Sequence, residues 1–309
     1  MTGMSQMAPE HGTEPATPTA PAPSGAPPSR TRPARGSSRR RPNLLAGAGA
    51  FLWLLVVGVP LYTLLVATLQ RSENYMASNP LVPPAEPTLD NYVTAIESGL
   101  LGFVWNTLLV TVAVVALVVA LTTTTAFAIV RARTRWTTGV FRVFLIGLAI
   151  PLQAVVVPVY LIIVELGLYD SLMAIVLPTA AFALPVCVLI LTGSMRDISD
   201  ELYEAMALDG AGSVRTFVQL VLPMSRPGIS TVGVYAAIQA WNGFLFPLVL
   251  TQSEENRLIT LGLYEFQGQF RVDIPGLLAA VVLSAVPILI VYLIARRSLV
   301  AGLMGVGGK

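Results

Sequence analysis

The 309-residue chain has a single histidine, His11, a single cysteine, Cys187, and a single lysine, Lys309. One cysteine cannot close an intrachain disulfide, and with His11 inside a proline-rich stretch no zinc site of Cys and His ligands can be assembled. The same shortage excludes mechanisms that need an imidazole held in a folded core. Because the lysine is the last residue, no Gly-x-x-x-x-Gly-Lys-Ser/Thr phosphate loop exists, and the chain cannot bind ATP that way. Charge is scarce too: Asp, Glu, Lys and Arg make up 12% of residues, against roughly 25% in soluble domains. Apolar residues take their place, at 54% of the chain with a mean hydropathy of +0.72, which is the composition of a membrane protein.

Residues 1–43 contain nine of the 23 prolines together with Ser, Thr, Ala and Gly, and almost nothing to bury, so a disordered tail is expected there. The tail ends in Arg30, Arg32, Arg35, Arg39, Arg40 and Arg41 directly before an apolar run. That position makes them a topology signal at a membrane face rather than a nucleic-acid site. Ser38 to Leu45 faintly resembles a twin-arginine export signal, but the leader and the charge-free run to Gln70 are too long for a cleaved peptide, so 44–70 is read as a first transmembrane helix.

A membrane span needs about 20 apolar residues. Six charge-free windows of that length stand near 44–69, 104–130, 143–164, 171–195, 228–251 and 275–295. As helices they satisfy their own backbone hydrogen bonds in lipid, so the expected fold is an all-α integral membrane protein with six transmembrane helices. Pro60, Pro151, Pro158, Pro178, Pro185, Pro247 and Pro287 fall inside these windows and predict kinks, since each removes a backbone donor. Six spans put both termini on one side. On that side fall sixteen of the nineteen Lys and Arg: the six tail arginines, Arg131, Arg133, Arg135, Arg142, Arg196, Arg215, Arg226, Arg296, Arg297 and Lys309. Arg71, Arg257 and Arg271 fall on the other, among many carboxylates. The positive-inside rule therefore predicts cytoplasmic termini in a multi-pass plasma-membrane protein, and the preference for Arg over Lys suggests a GC-rich bacterium.

Two segments between spans are long. Outside, Pro80, Pro83, Pro84 and Pro87 precede Leu89, Tyr92, Val93 and Ile96, which predicts an extended stretch and then a short amphipathic helix. Inside, Ser199 is placed to cap a helix with Asp200 and Glu201 in its first turn. That helix runs through Leu202, Met206 and Leu208 to the turn Asp209-Gly210-Ala211-Gly212. A second helix from Ser213 sets Val214, Phe217, Val218 and Val221 on one face, with Arg215, Thr216 and Gln219 opposite, and ends at Leu222-Pro223. The small residues Ala205, Ala207, Gly210, Ala211 and Gly212 let another surface come close to the backbone, a shape suited to a protein partner.

The run Glu204-Ala205-Met206-Ala207-Leu208-Asp209-Gly210, then nine residues, then Leu220-Val221-Leu222-Pro223, resembles the EAA motif of ATP-binding-cassette importer permeases, Glu-Ala-Ala-x3-Gly-x9-Ile-x-Leu-Pro. Met206 replaces the second Ala and Leu220 the Ile. The extension Leu208 to Ala211 is similar to the carbohydrate-uptake branch, the maltose-permease G type. Ile150-Pro151, Leu166-Gly167-Leu168, Trp241-Asn242 and the glycine-rich end from Gly302 to Lys309 add to the resemblance, while Gly243 departs from the acidic residue common after Trp-Asn.

The resemblance implies a type I importer transmembrane domain over 101–297, followed by a cytoplasmic tail, 298–309, that touches the ATPase. It implies a coupling loop in which Glu204, Ala205, Asp209, Gly210, Ala211, Leu222 and Pro223 contact a separate ATPase. It implies no catalytic residue, metal or cofactor in this chain, with ATP used by the partner. The implied partners are a second homologous permease subunit, an ATPase subunit dimer, an extracytoplasmic solute-binding protein and membrane lipid, with no nucleic acid. The implied cargo is a sugar, of oligosaccharide type.

Within the spans the central polar groups are neutral: Gln153, and Gln239 and Asn242 on one helical face beside Trp241. Amides and an indole suit a polyhydroxylated ligand. Interhelical hydrogen bonding and Trp packing account for them equally well, so both readings stand. No ionisable residue lies deep in a window, which weighs against the alternative of a stand-alone ion-coupled carrier. No ring of charge suggests a channel, and no nucleophile with a base suggests an enzyme. The last outer segment, 252–274, carries Glu254, Glu255, Arg257, Tyr264, Phe266, Gln267, Phe270, Arg271 and Asp273, and by resemblance faces the binding protein.

Overall fold

The computed structural model describes residues 44–265 and 273–306. The expected N-terminal tail, Phe266, Gln267, Phe270 and Arg271, and the last three residues lie outside that range. The packing below is that of the unit Leu52–Lys309.

All regular structure among the described residues is helical. In chain order α1 spans Leu44–Thr68, α2 Ser72–Tyr75 and α3 Asp90–Ala95, and a π-helical turn over Ile96–Leu100 leads into α4, Leu101–Ala132. Next come α5, Arg135–Gly147, α6, Leu152–Glu165, and α7, Leu172–Arg196. The inner loop holds α8, Asp200–Leu208, α9, Ser213–Thr216, a second π-helical turn over Phe217–Val221, and α10, Leu222–Met224. After it come α11, Arg226–Trp241, α12, Leu245–Leu250, a 3-10 turn at Glu254–Asn256, α13, Ile259–Glu265, and α14, Ile274–Val306. The last helix thus continues through most of the segment read as a C-terminal tail.

Four helical stretches among the described residues are long and apolar enough to cross a membrane: Leu45–Thr68, Asp90–Ala132, Leu172–Arg196 and Ile274–Leu293. α5 and α6, 13 and 14 residues long and bent by 108° at the break between them, supply a fifth only when counted together. Two of the six windows are interrupted: the third at Pro151, one of the prolines expected to kink it, and the fifth at Asn242-Gly243-Phe244. In the third, Leu148, Ala149 and Ile150 donate to carbonyls three residues back, tightening the chain out of α5, and Pro151 has no N–H with which to continue it. α6 restarts with Pro151 as its N-cap. In the fifth, the helix stops at Asn242-Gly243-Phe244, leaving a 16-residue α11 and a six-residue α12. At 1.5 Å per residue α11 alone falls short of a hydrocarbon core of about 30 Å. Pro60, Pro158, Pro178, Pro185 and Pro287 are carried inside helices.

The core is built by α4, α7 and α11, each packed on the other two, with α14 against α11. Rows at four-residue spacing meet there: Val110, Val114 and Val118 on α4, Ala183, Cys187, Leu191 and Met195 on α7, and Val232, Ala236 and Ala240 on α11, all buried. Lipid is as apolar as these side chains, so their packing, rather than escape from water, holds the helices together, and small residues bring the backbones close. Gly228 marks a close approach of α11 to α7: a Cβ there would lie 2.6 Å from Ser194 Oγ and 2.8 Å from Ser194 Cβ.

The short outer helix forms where expected but buries a different face. Asn91 and Ala95 turn inward, while Leu89, Val93 and Ile96 are exposed. The reason is polar: Asn91 Nδ2 donates to the carbonyls of Thr68 (2.8 Å) and Gln70 (2.7 Å), acceptors left over where α1 ends.

Candidate functional site

The inner loop is rooted on α4 and otherwise projects. Asp200, in the first turn of α8, accepts from Arg133 Nη2 at 2.9 Å (Oδ1) and 3.2 Å (Oδ2), and Arg133 is the residue at which α4 ends. Tyr203 is the one buried residue of α8, and Arg131 Cζ lies 4.6 Å from its ring centroid. Burial raises the Tyr203 phenol above its ordinary pKa; Arg131 offsets part of this, Asp200 adds to it and Arg133 opposes it. Ser199 does occupy the N-cap position with extended backbone, but its side chain makes no capping bond, contrary to expectation. Asp200 and Glu201 are left to complement the positive end of the helix.

Beyond Tyr203 the motif residues stand out from the body. Glu204, Ala205, Ala207, Asp209 and Gly210 are exposed, Ala211 is half-buried, and Leu208 is 89% exposed. Gly210 ends α8 in the left-handed region, at φ +70. Its N–H donates to Ala207 O at 3.0 Å, and that of Ala211 to Met206 O at 2.9 Å. This pair of bonds is the Schellman ending that a glycine permits without strain.

The second half of the loop departs from the expected face. Val214 is 78% and Val218 52% exposed, whereas Thr216, read as outward, is buried along with Val221. The π-helical turn over Phe217–Val221 is the cause: one extra residue per turn puts positions five apart, not four, on the inner side. Nor does the helix stop at Leu222-Pro223. α10 continues to Met224, with Leu222 half-buried and Pro223 exposed, and only Ser225 separates it from α11. The loop therefore presents an exposed knob bearing apolar side chains, fixed at its root by an ion pair and a ring contact.

A family model for the inner membrane component of binding-protein-dependent transport systems matches residues 120–301, a stretch that contains this whole loop. The chain belongs to that family. It is 32% identical over 253 residues to a putative ABC transporter permease protein, ORF2, of a Caldicellulosiruptor strain, covering 82% of this chain and 92% of the relative. It is 31% identical over 267 residues to the diacetylchitobiose uptake system permease protein NgcG of Streptomyces coelicolor, covering 85% and 88%. The crystal structure of a bacterial ABC transporter involved in the import of the acidic polysaccharide alginate superposes with a TM-score of 0.74 at 18% identity, covering 82% of this chain and 95% of the matched one. That last likeness speaks for the fold. A binding-protein-dependent permease is a multi-pass membrane transport component, not an enzyme, and works with an ATPase and a solute-binding protein.

The permease's candidate path residues are brought together only in part. Gln239 and Asn242 share an exposed face at the end of α11, but Trp241 turns inward to 5% exposure, so the indole packs in the core and does not flank them. Asn242 Nδ2 donates to Ile238 O at 2.9 Å, one turn back. Gln153 is exposed in the first turn of α6, just past the break at Pro151, and not at mid-span. The α11–α12 break frees the Gly243 carbonyl, which accepts from Thr260 Oγ1 at 2.7 Å.

At the α6–α7 junction Asp170, one of the carboxylates the sequence assigns to the outer side, is the hub of a loop clip. Its Oδ1 accepts from the N–H groups of Gln252 (2.9 Å) and Ser253 (3.0 Å) and from Ser253 Oγ (3.0 Å). Its own carbonyl accepts from Asn256 Nδ2 at 2.7 Å, and its N–H donates to Leu250 O at 2.9 Å. The backbone N–H of Gln252, then that of Ser253, holds the carboxyl below its usual range. Asp170 adopts φ +58, a conformation aspartate tolerates better than most residues. Neither this clip nor Thr260 left a signal in the sequence, because most of their partners are backbone groups of distant segments.

Proposed function

We propose that this permease carries a sugar, of oligosaccharide type, across a bacterial plasma membrane, with both termini in the cytoplasm. A second homologous permease subunit completes the pathway, and an ATPase dimer grips the α8 knob through Glu204, Ala205, Asp209, Gly210 and Ala211, with Leu222 and Pro223 at the loop's return. The chain itself binds no cofactor and ATP is consumed by the ATPase. A solute-binding protein delivers cargo at the face that carries the Asp170 clip. The observation that carries this reading is the exposed end of α8, an apolar Leu208 beside a strain-free Gly210 turn, set on a root locked to α4. A rigid projection of this kind transmits a partner's closure to the helix behind it.

The sugar class is supported by the Leu208–Ala211 extension, by the uptake system named for the Streptomyces coelicolor relative, and by neutral amides at Gln153, Gln239 and Asn242 in place of ionised groups. Its test is ATPase activity of the reconstituted assembly with the binding protein encoded beside it. Stimulation by one or a few oligosaccharides is expected. Stimulation by an amino acid or peptide, and by no sugar, contradicts the assignment.

A further inference from the structure

Between α1 and α3, at the end of α4 opposite the coupling loop, the segment from Gln70 to Glu86 folds around a cavity of about 520 Å³. Its walls are held by hydrogen bonds within the segment and to its neighbours. Thr88 N–H donates to Leu69 O at 2.9 Å, Leu81 N–H to Asn79 Oδ1 at 3.0 Å, and Tyr62 Oη to Leu81 O at 3.2 Å. Asn91 Nδ2, on α3, donates to the Gln70 carbonyl at 2.7 Å. A pocket ordered in this way loses little freedom when a ligand enters it.

Gln70, Asn74, Ser78 and Asn79 give the lining neutral polar groups, and Val82, Pro83 and Pro84 give it apolar surface. The two charged residues of the lining, Arg71 and Glu86, stand 3.9 Å apart, so their charges offset each other. Gln70 is the decisive residue. It is 3% exposed, and its Oε1 accepts from Ser78 Oγ. Among the described residues nothing accepts from its Nε2, yet that atom is not one of those sealed away from open space. A nearly buried amide therefore keeps N–H donors open at the cavity it lines, and such donors call for an acceptor. Neutral groups that both give and accept hydrogen bonds, beside apolar surface, match a ligand rich in hydroxyls on a carbon ring. The volume falls among small-molecule sites, roughly 300–1,000 Å³, whereas a protein partner needs a broad surface rather than a small hollow.

We infer that this cavity binds one sugar unit of the cargo, with the Gln70 and Asn74 amides bonded to its hydroxyls and the proline surface against its ring. It is a capture site, and none of Gln153, Gln239 and Asn242 lines it. The inference rests on the reading of this permease as a sugar carrier with this end outside.

The test is saturation-transfer NMR on the full chain in nanodiscs, with maltose and cellobiose as α- and β-linked probes and triglycine as a peptide control. Transfer to at least one disaccharide and none to triglycine is expected. Asn74→Ala removes an exposed side chain that makes no hydrogen bond among the described residues, and Gln70→Met keeps the bulk of the buried side chain without its amide. Each is expected to weaken sugar binding roughly two- to tenfold, the worth of one hydrogen bond. Asn242→Ala should leave it unchanged. Unfolding temperature is followed for every variant, and should Gln70→Met fail to fold, Asn74→Ala decides alone. No transfer to either sugar overturns the inference, as does equal binding by the unaltered chain and Asn74→Ala. Loss with Asn242→Ala alone overturns it by assigning the sugar to the α11 path, and equal transfer to triglycine does so by assigning the cavity to a polypeptide segment. The readout needs neither ATPase nor uptake. Sugar-stimulated ATP hydrolysis by the assembly, together with unchanged binding in Asn74→Ala, therefore sinks the capture site and leaves the transport reading standing.

Discussion

Arg133 and Asp200, 67 residues apart in sequence, are joined by two hydrogen bonds from a single guanidinium nitrogen, at 2.9 and 3.2 Å. The link ties the end of a long core helix to the first turn of the projecting one. Both side chains are more than half exposed, at 68% and 59%, so the pair contributes only about 0.2–1 kcal/mol to stability. Its value lies in geometry. Arg133→Ala and Asp200→Ala are therefore expected to change unfolding by no more than that amount, yet to raise the ATP hydrolysed per solute imported. A double-mutant cycle on the hydrolysis-to-uptake ratio should show coupling between the two positions.

Gly210 separates backbone demands from docking demands. A Cβ at this position meets no other atom within 4 Å, so substitution brings no clash, only the left-handed backbone. Gly210→Ala should cost about 1–2 kcal/mol on that account. Asn and Asp tolerate the conformation better, so Gly210→Asn and Gly210→Asp should both insert and fold. Gly210→Asp is nonetheless expected to abolish uptake and ATPase attachment, measured by co-purification, since it puts a charge on the docking surface.

The Asp170 clip predicts a pH dependence. Its carboxyl titrates below the usual range when folded, so its contribution is fully present above the unfolded value of about 3.9 and is lost as pH falls through the lower folded value. Proteolysis of the 252–256 segment should accelerate only in strongly acid buffer. Asp170→Asn should show the faster cleavage at neutral pH, because a neutral amide oxygen accepts the two backbone N–H groups more weakly.

Gly228 tests the helix packing. With Ser194 Oγ and Cβ 2.6 and 2.8 Å from where a Cβ on Gly228 would stand, Gly228→Ala should destabilise by about 1–3 kcal/mol through overpacking. Gly193, with open space around it, should accept Ala at little cost, and thermal unfolding in detergent compares the two.

Much of this molecule was legible in its residues, with defined exceptions. Hydropathy located the membrane-crossing segments because it measures apolar length. It does not register the breaks at Pro151, which proline chemistry predicts as a kink, and at Asn242-Gly243, where the interruption is in backbone hydrogen bonding within a largely apolar run. The spacing from Glu204 to Gly210 located α8 and its turn, since a Schellman ending needs a residue such as glycine. The face of the following helix was misread because a four-residue period cannot foresee a π-helical turn, and Val218 and Thr216 exchanged sides. Trp241 was placed with Gln239 and Asn242 by adjacency, although its neighbour on the helix points the other way. The Arg133–Asp200 link and the Asp170 clip join segments 67 and more than 80 residues apart, which no periodicity encodes.

The central claim is that transport energy enters through the α8 knob from a separate ATPase. The most direct measurement is solute accumulation in proteoliposomes, comparing this chain alone under proton and sodium gradients with the full assembly given ATP and binding protein. Accumulation only in the full assembly, and its loss with Gly210→Asp, is the predicted result. Accumulation by the lone chain under an ion gradient would contradict it.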